Sequence, residues 1–307
     1  MLPGFLLHLI RSRPGCVLSV QSSTLSIPVA VLAGIPVIHR ESSNSREALG
    51  RHAGFRRRVV SFGKRCVYRA CAFIVANSSG AAESVEALTG LPEGRIRVIH
   101  NPVDPGRLSA LAEPSPSTDA FAPGAPPVLA YVGRLSWEKD VATLLRGFAI
   151  ALPGRRAQLL LIGDGRDRAA LQELALELGV ADAVRFLGHV ANPHAYVARS
   201  CAFLLSSLYE GLPNALLEAV ALGVPSISTD CPTGPREILL DGDGGWLVPV
   251  GDATAFGAAL GELLDRPDEA ARRAATATAA LARFHPSFIA SRYAEVILNS
   301  MHFRDES

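Results

Sequence analysis

Two glutamates in the stretch "LYEGLPNALLEAVALGVPSISTDCPTGPREIL" (residues 208–239) stand eight positions apart, Glu210 before a helix start and Glu218 inside an otherwise apolar helix. Pro213 suits the first position of that helix, where its missing N–H costs nothing, and Gly223 suits a left-handed cap at its end. The backbone N–H groups of Asn214 and Ala215 then form an anion site, with the helix dipole adding positive potential. Glu218 lies among Leu216, Leu217, Ala219 and Val220. A carboxylate buried there needs hydroxyl or cationic partners, because burial without them is costly. Ribose hydroxyls beside a phosphate held at the helix start would serve. The plainer alternative is a Glu218 that faces solvent.

Arg134 and Lys139 follow the run "VLAYVG", in the loop at the carboxyl end of a strand, where open α/β sheets bind ligands. Two cations there can neutralise a diphosphate leaving group; taken alone, such a pair is more often simply solvated. "GDGRDR" is a glycine turn entering a helix. Gly163 and Gly165 fit a dinucleotide fingerprint, but Arg168 occupies the third glycine position, which argues against NAD. "DGDGG" (residues 241–245) fails as a calcium loop, since Gly245 replaces a ligand and Asp252 stands where a bidentate Glu belongs. It also lacks the buried strand that precedes a metal-binding D-x-D, so a tight turn is expected there and no metal ligand.

The elements that must position these residues are read from short apolar runs alternating with helical patterns. Strand candidates are "CVLSV", "PVIH", "AFIVAN" and "IRVIHN", then "VLAYVG", "AQLLLIG", "VRFLG", "AFLLSS", "VPSIST" and "GWLVPV". Their continuous apolar character implies burial on both faces and therefore parallel sheets covered by helices, an α/β class. The Pro-, Ser- and Ala-rich stretch "DPGRLSALAEPSPSTDAFAPGAPP" reads as an interdomain linker. The expected organisation is a partial N-terminal Rossmann-like domain over residues 1–107, a linker over 108–127, and a ligand-binding domain over 128–285. A terminal helix over 286–307 is expected to pack back toward the first domain.

The 307 residues carry a net charge of +1, but residues 40–69 alone carry +7, leaving −6 on the remainder. Five scattered cysteines without C-x-x-C spacing argue against a disulfide framework and a zinc site, and for a reducing compartment. No apolar run approaches ~20 residues, so no spanning helix is expected.

The words around Glu210 and Glu218 strongly resemble the E-x7-E segment of family 4 glycosyltransferases. "YVGRLSWEKDVATLLRGFA" resembles the same family's G-R-x-x-x-x-K element. "LLLIGDGRDRAALQELALELGVADAVRFLGHV", "GGWLVPVGD" and "IVANSSGAAESV…IRVIHNPVD" agree with further segments in the family's order. The resemblance covers nearly all of the chain from about residue 15. It implies a GT-B fold, two Rossmann-like domains facing a cleft with the N-terminal one incomplete, and a retaining sugar transfer. It further implies that Glu210 contacts the transferred sugar and Glu218 the ribose. Arg134 and Lys139 would hold the diphosphate in place of a metal, and the backbone of Val190 would meet the base. Gly133, Gly163, Gly165, Gly211, Leu212, Pro213, Asn214 and Ala215 would line the donor site. His189 is expected to be structural.

The implied partners are a nucleotide-diphosphate sugar, UDP- before GDP-, and a glycan or polyprenyl-linked acceptor, with no cofactor and no nucleic acid. Rivals are an epimerase or hydrolase on the same fold, or a nucleotide-sugar binder without turnover. Where family members often carry a histidine aimed at the reaction, "PVIHRESSN" offers His39, Arg40 and Glu41, with Glu41 as the catalytic candidate. Strand alternation puts His39 and Glu41 on one side and Arg40 on the other. The basic segment "RHAGFRRRVVSFGKRCVYR" is either a solvated helix face or a footprint for anionic lipid on the inner face of the cytoplasmic membrane. In related proteins a glycine-rich acceptor loop lies upstream of the point where Met1 falls. An N-terminally truncated chain that binds donor but transfers sugar poorly is therefore expected.

Overall fold

Each of those apolar runs becomes a strand, and every ladder between the strands is parallel. The computed structural model describes residues 2–20, 26–42, 54–92, 94–113, 116 and 118–302. The chain forms two units, Met1–Pro102 with Phe284–Ser307, and Val103–Arg283.

The first unit contains α1 (Leu2–Ser12), β1 (Val17–Val20), α2 (Ser26–Leu32), β2 (Val37–Glu41), α3 (Gly54–Arg69), β3 (Phe73–Ala76), α4 (Ser79–Thr89) and β4 (Ile96–Val98). Its sheet runs β1-β2-β3-β4, with β1 at an edge. Leu9, Ile27, Tyr68 and Val85 of α1 to α4 join Val37 and Ile74 in one core. Ile38, Phe73 and Val75 pack instead with Ile289 and Val296 of the final helix, Pro286–His302.

The second unit contains α5 (Pro105–Ala112), β5 (Val128–Val132), α6 (Val141–Ala151), β6 (Gln158–Ile162), α7 (Arg168–Glu177), β7 (Val184–Gly188), α8 (His194–Val197) and β8 (Ala202–Leu205). It continues through α9 (Asn214–Ala221), β9 (Ser226–Thr229), α10 (Pro235–Ile238), β10 (Trp246–Val248), α11 (Ala253–Asp265) and α12 (Pro267–Ala279). The sheet order β10-β9-β8-β5-β6-β7 reverses direction between β5 and β8. Such a reversal leaves a crevice at the carboxyl ends of the two strands, where open α/β sheets bind ligands.

The stretch expected to be a linker opens with a helix. Asp104 caps α5 by accepting from the Arg107 N–H at 3.1 Å, Pro105 opens the helix, and Leu108 and Ala112 are buried. Asp followed by Pro is a helix-start signature that the Pro-, Ser- and Ala-rich composition of the stretch masks. Residues 114, 115 and 117 of that stretch, Arg51 to Ala53 of the basic segment, and Met1 lie outside the described residues. Among the described residues no helix is long and apolar enough to cross a membrane.

Candidate functional site

The loop after β5 (residues 133–139) and the loop after β8 (residues 206–213) meet at the reversal of the second sheet. Leu208 donates its N–H to the Glu138 carbonyl at 2.9 Å, and the Ser206 hydroxyl donates to the Lys139 carbonyl at 2.8 Å. Lys139 and Glu210 are thereby brought together from positions 71 residues apart: Lys139 Nζ lies 2.5 Å from Glu210 Oε1. The Ser207 hydroxyl donates to the same oxygen at 2.7 Å. Glu210 Oε1 is therefore shared by an ammonium and a hydroxyl, both largely withdrawn from water.

A third loop holds this arrangement from below. Thr229 donates to the Ser207 carbonyl at 2.6 Å and Thr233 donates to the Glu210 carbonyl. Gly234, at φ +81°, lets that loop approach closely: a Cβ there would sit 2.3 Å from the Gly211 carbonyl oxygen. Cys231 in the same loop is buried, and burial, followed by the Glu210 charge, pushes its thiol up to about 12. It is an inert core group.

Arg134 is exposed, with its guanidinium 3.1 Å from the buried carboxylate of Glu138. Its carbonyl accepts from the Tyr131 hydroxyl at 2.9 Å; burial, then the Glu210 and Glu138 charges, raise the pKa of that phenol. Both candidate diphosphate cations thus carry carboxylate partners, Glu138 for Arg134 and Glu210 for Lys139.

The β5 loop is zipped to the β6 loop by Gly133 N–H to Ile162 O at 3.0 Å, Leu135 N–H to Asp164 O at 3.0 Å, and Asp167 N–H to Leu135 O at 3.1 Å. Gly163 adopts φ +128°, and a Cβ there would lie 2.0 Å from the Gly133 carbonyl oxygen. At Gly165 a Cβ would meet the Leu135 carbonyl oxygen at 2.1 Å. The "GDG" turn is glycine-rich because another backbone lies against it. Arg168, at the third glycine position, bonds Asp164 at 2.9 Å and the Phe186 carbonyl at 3.1 Å.

Gly133, Arg134, Gly163 and Val190 line one cavity of about 210 Å³, together with His189 and Pro193. His189, expected to be structural, is part of its wall.

Pro213 is the residue before α9 rather than its first member, and the helix opens with Asn214 and Ala215. Glu218 is less buried than its apolar neighbours suggested, with a side chain 37% exposed, and Oε2 lies 3.2 Å from His194 Nε2. Leu217 and Val220 take the inward face of α9 and leave position 218 at its boundary. His194, Ser207, Thr233 and Glu138 are the site residues that sequence reasoning missed.

"DGDGG" is a turn with Asp241 at φ 56°, its carboxylate 3.3 Å from Arg236. Among the described residues no group of three or more His, Cys, Asp or Glu could hold a metal.

In the first unit, the face of His39 and Glu41 meets α3. Glu41 is buried, 2.9 Å from Lys64 Nζ, and accepts from the Tyr68 hydroxyl. His39 is buried with its ring centroid 4.9 Å from that of Tyr68, and burial holds its pKa below the ordinary value. Arg40 turns the other way and donates to Asn101 Oδ1 at 2.5 Å. The structure sets Glu41, the expected catalytic candidate, inside an ion pair rather than at an open surface.

Residues 126–266 match the family described as glycosyl transferases group 1, and residues 2–107 match glycosyltransferase family 4. The lipopolysaccharide core biosynthesis glycosyltransferase LpsE of Rhizobium meliloti is 38% identical over 191 residues, covering 62% of this chain and 53% of that protein. The lipopolysaccharide 1,6-galactosyltransferase of Salmonella typhimurium is 36% identical over 188 residues, 59% of this chain and 49% of its own. The chain spans about half the length of these curated relatives. Among solved structures, the apo form of the lipopolysaccharide outer core galactosyltransferase WaaB superposes with a TM-score of 0.74 at 26% identity, over 97% of this chain and 79% of that one. Anabaena HepE in complex with UDP-glucose shares the fold, with a TM-score of 0.78 at 19% identity over 96% and 82%.

Proposed function

Because this chain belongs to the family 4 glycosyltransferases, with the Rossmann-like domains of the GT-B fold, we propose that it moves a sugar from a nucleotide-diphosphate sugar to a glycan or polyprenyl-linked acceptor in cell-envelope polysaccharide biosynthesis. The observation that carries this reading is the Lys139–Glu210 contact at the sheet reversal, beside the N-terminus of α9. UDP is the favoured nucleotide, since HepE was solved with UDP-glucose. An activated nucleotide donor places the reaction on the cytoplasmic side.

In this reading the donor diphosphate lies against the N–H groups of Asn214 and Ala215, within reach of Arg134 and Lys139. The helix dipole and the two cations stabilise the charge that develops as the anomeric C–O bond breaks and its electron pair passes to the diphosphate oxygen. The acceptor oxygen bonds to the anomeric carbon on the face the diphosphate leaves, and its proton goes to the departing diphosphate. Configuration is retained and no metal is required. Diphosphate competes with Glu210 for Lys139, freeing that carboxylate to accept from hydroxyls of the transferred sugar. Glu218 accepts from the ribose hydroxyls, with His194 fixing its orientation. The base occupies the cavity bounded by Val190. Glu41 receives no step, since Lys64 and Tyr68 already satisfy it.

A thermal-shift panel of UDP-, GDP- and ADP-sugars followed by transfer assays on lipopolysaccharide core acceptors tests this proposal. Stabilisation by UDP-sugars with transfer supports it. Indifference to every nucleotide sugar contradicts it.

A further inference from the structure

The turn that carries Lys139 has a second side. Beyond Lys139, α6 and α7 enclose a groove of about 450 Å³, separate from the cavity that includes Gly133 and Val190. That volume falls in the usual range of small-molecule sites, about 300–1,000 Å³. Val141 and Leu171 are buried at its base, and Trp137 forms part of its wall.

Trp137 is 45% exposed, an unusual setting for the largest apolar side chain. The chain's other tryptophan, Trp246, is buried, donates to Glu262 at 3.1 Å, and lies under the Arg273 guanidinium. Trp137 leans on Tyr209 with ring centroids 5.7 Å apart. Tyr209 directly precedes Glu210, so the aromatic pair connects the two loops of the Lys139–Glu210 contact.

The remaining lining narrows the class of occupant. Asp140, Asp167, Glu173 and Glu177 outnumber the single cation Arg146, so a phosphate or nucleotide is disfavoured. The carboxylates do not converge into a metal-holding group among the described residues. Ser136, more than nine-tenths buried in the wall, has a hydroxyl without a hydrogen-bond partner among the described residues. An apolar base, an indole and several acceptors suit a neutral polyol. The C–H face of a hexose packs on the negative face of the ring while its hydroxyls donate to carboxylates.

We propose that Trp137 and the groove between α6 and α7 form a saccharide subsite that holds a sugar unit of the acceptor glycan. This deepens the transferase reading and rests on it for the identity of the glycan. The short turn from Ser136 to Lys139 fixes that sugar's position relative to the diphosphate clamp, so Trp137 is a positioning residue.

Intrinsic tryptophan fluorescence supplies the test, with Trp137→Phe as the control that leaves Trp246 as the sole indole. Methyl α-galactoside, methyl α-glucoside and maltotriose are titrated without nucleotide, and UDP is titrated separately by calorimetry. A saturable emission change with at least one saccharide is expected. Calorimetry on Trp137→Ala is expected to show that saccharide's affinity reduced at least tenfold, with UDP affinity within twofold of the parent; Trp137→Phe restores part of the loss. Thermal melting of both variants checks the fold. No response to any of the saccharides, or unchanged saccharide affinity in folded Trp137→Ala, overturns the subsite. Absence of UDP binding alongside Trp137-dependent saccharide binding would instead count against the donor reading and leave the subsite standing.

Discussion

Glu210 Oε1 accepts from Lys139 Nζ at 2.5 Å and from Ser207 Oγ at 2.7 Å, so the carboxylate assigned to the sugar holds the cation assigned to the diphosphate. Their side chains are 12% and 19% exposed respectively. Removing one member of such a pair leaves the other charged with its partner gone, which is more damaging than removing both. Lys139→Met is therefore expected to lower stability by about 1–3 kcal/mol, and Lys139→Met/Glu210→Gln to recover most of it. Glu210→Gln alone is expected to bind UDP up to about fivefold more tightly, a gain of ~1 kcal/mol, while transfer falls steeply. Denaturant melts and calorimetry read these outcomes. Weaker UDP binding by Glu210→Gln would show that the pair is not a competitor of the diphosphate.

Gly163 sits where two backbones touch. Alanine would meet the Gly133 carbonyl oxygen at 2.0 Å in a conformation with φ +128°. Gly163→Ala is expected to cost at least about 3 kcal/mol and to weaken nucleotide binding by displacing the β5 loop. A variant with unchanged melting temperature would mean that the loops tolerate separation.

His39 makes the first unit sensitive to acid. Burial lowers its folded pKa and so does Lys64, while Glu41 and the backbone of Ser19 raise it; burial dominates. In the unfolded chain the imidazole titrates near about 6.5. Below that pH the unfolded state takes up a proton that the folded state refuses, so the contribution present at neutral pH is lost as pH falls toward the folded pKa. Hydrogen exchange in β2 is expected to accelerate as pH drops from about 7.5 to about 5.5, beyond its intrinsic pH dependence. His39→Gln is expected to flatten that response. An equal slope in both proteins would move the acid sensitivity to another group.

The exposed face of α3 presents Phe62 and Val59, 70% and 53% exposed, among the exposed Arg56, Arg58 and Arg65. Peripheral binding to anionic lipid is the proposal for this face. Sedimentation with liposomes is expected to rise with the anionic lipid fraction and to fall with salt, since the screening length is ~10 Å at 0.1 M. Arg56→Glu/Arg58→Glu is expected to reduce it. Binding indifferent to lipid charge and salt would leave α3 a solvated face.

The strands were legible because a parallel sheet buried on both faces writes itself as unbroken apolar runs. Arg134, Lys139 and Glu210 were legible by type and place, each in a loop after a strand. Their ion pairs were not. Glu138 stood in plain view four residues after Arg134, yet only the tight turn makes them partners. His194 reaches Glu218 across 24 residues by tertiary closure, and nothing in "VANPHAYV" signals it. Ser207 and Thr233 look like ordinary strand-end and loop residues until their hydroxyl acceptors are seen. The intermediate exposure of Glu218 was not legible because neighbours in sequence are not neighbours on a helix face.

The crevice at the sheet reversal is proposed to bind a nucleoside diphosphate through side-chain cations and Glu218 without metal. Calorimetric titration of UDP in excess EDTA, against the parent chain, Arg134→Ala and Glu218→Ala, tests it most directly. Saturable binding by the parent is expected, with Glu218→Ala weakening it by ~1.5–3 kcal/mol, the worth of hydrogen bonds to a charged group. Arg134→Ala is predicted to weaken it as well. Binding that appears only when Mg²⁺ or Mn²⁺ is restored, or affinities identical across the three folded proteins, would contradict the claim.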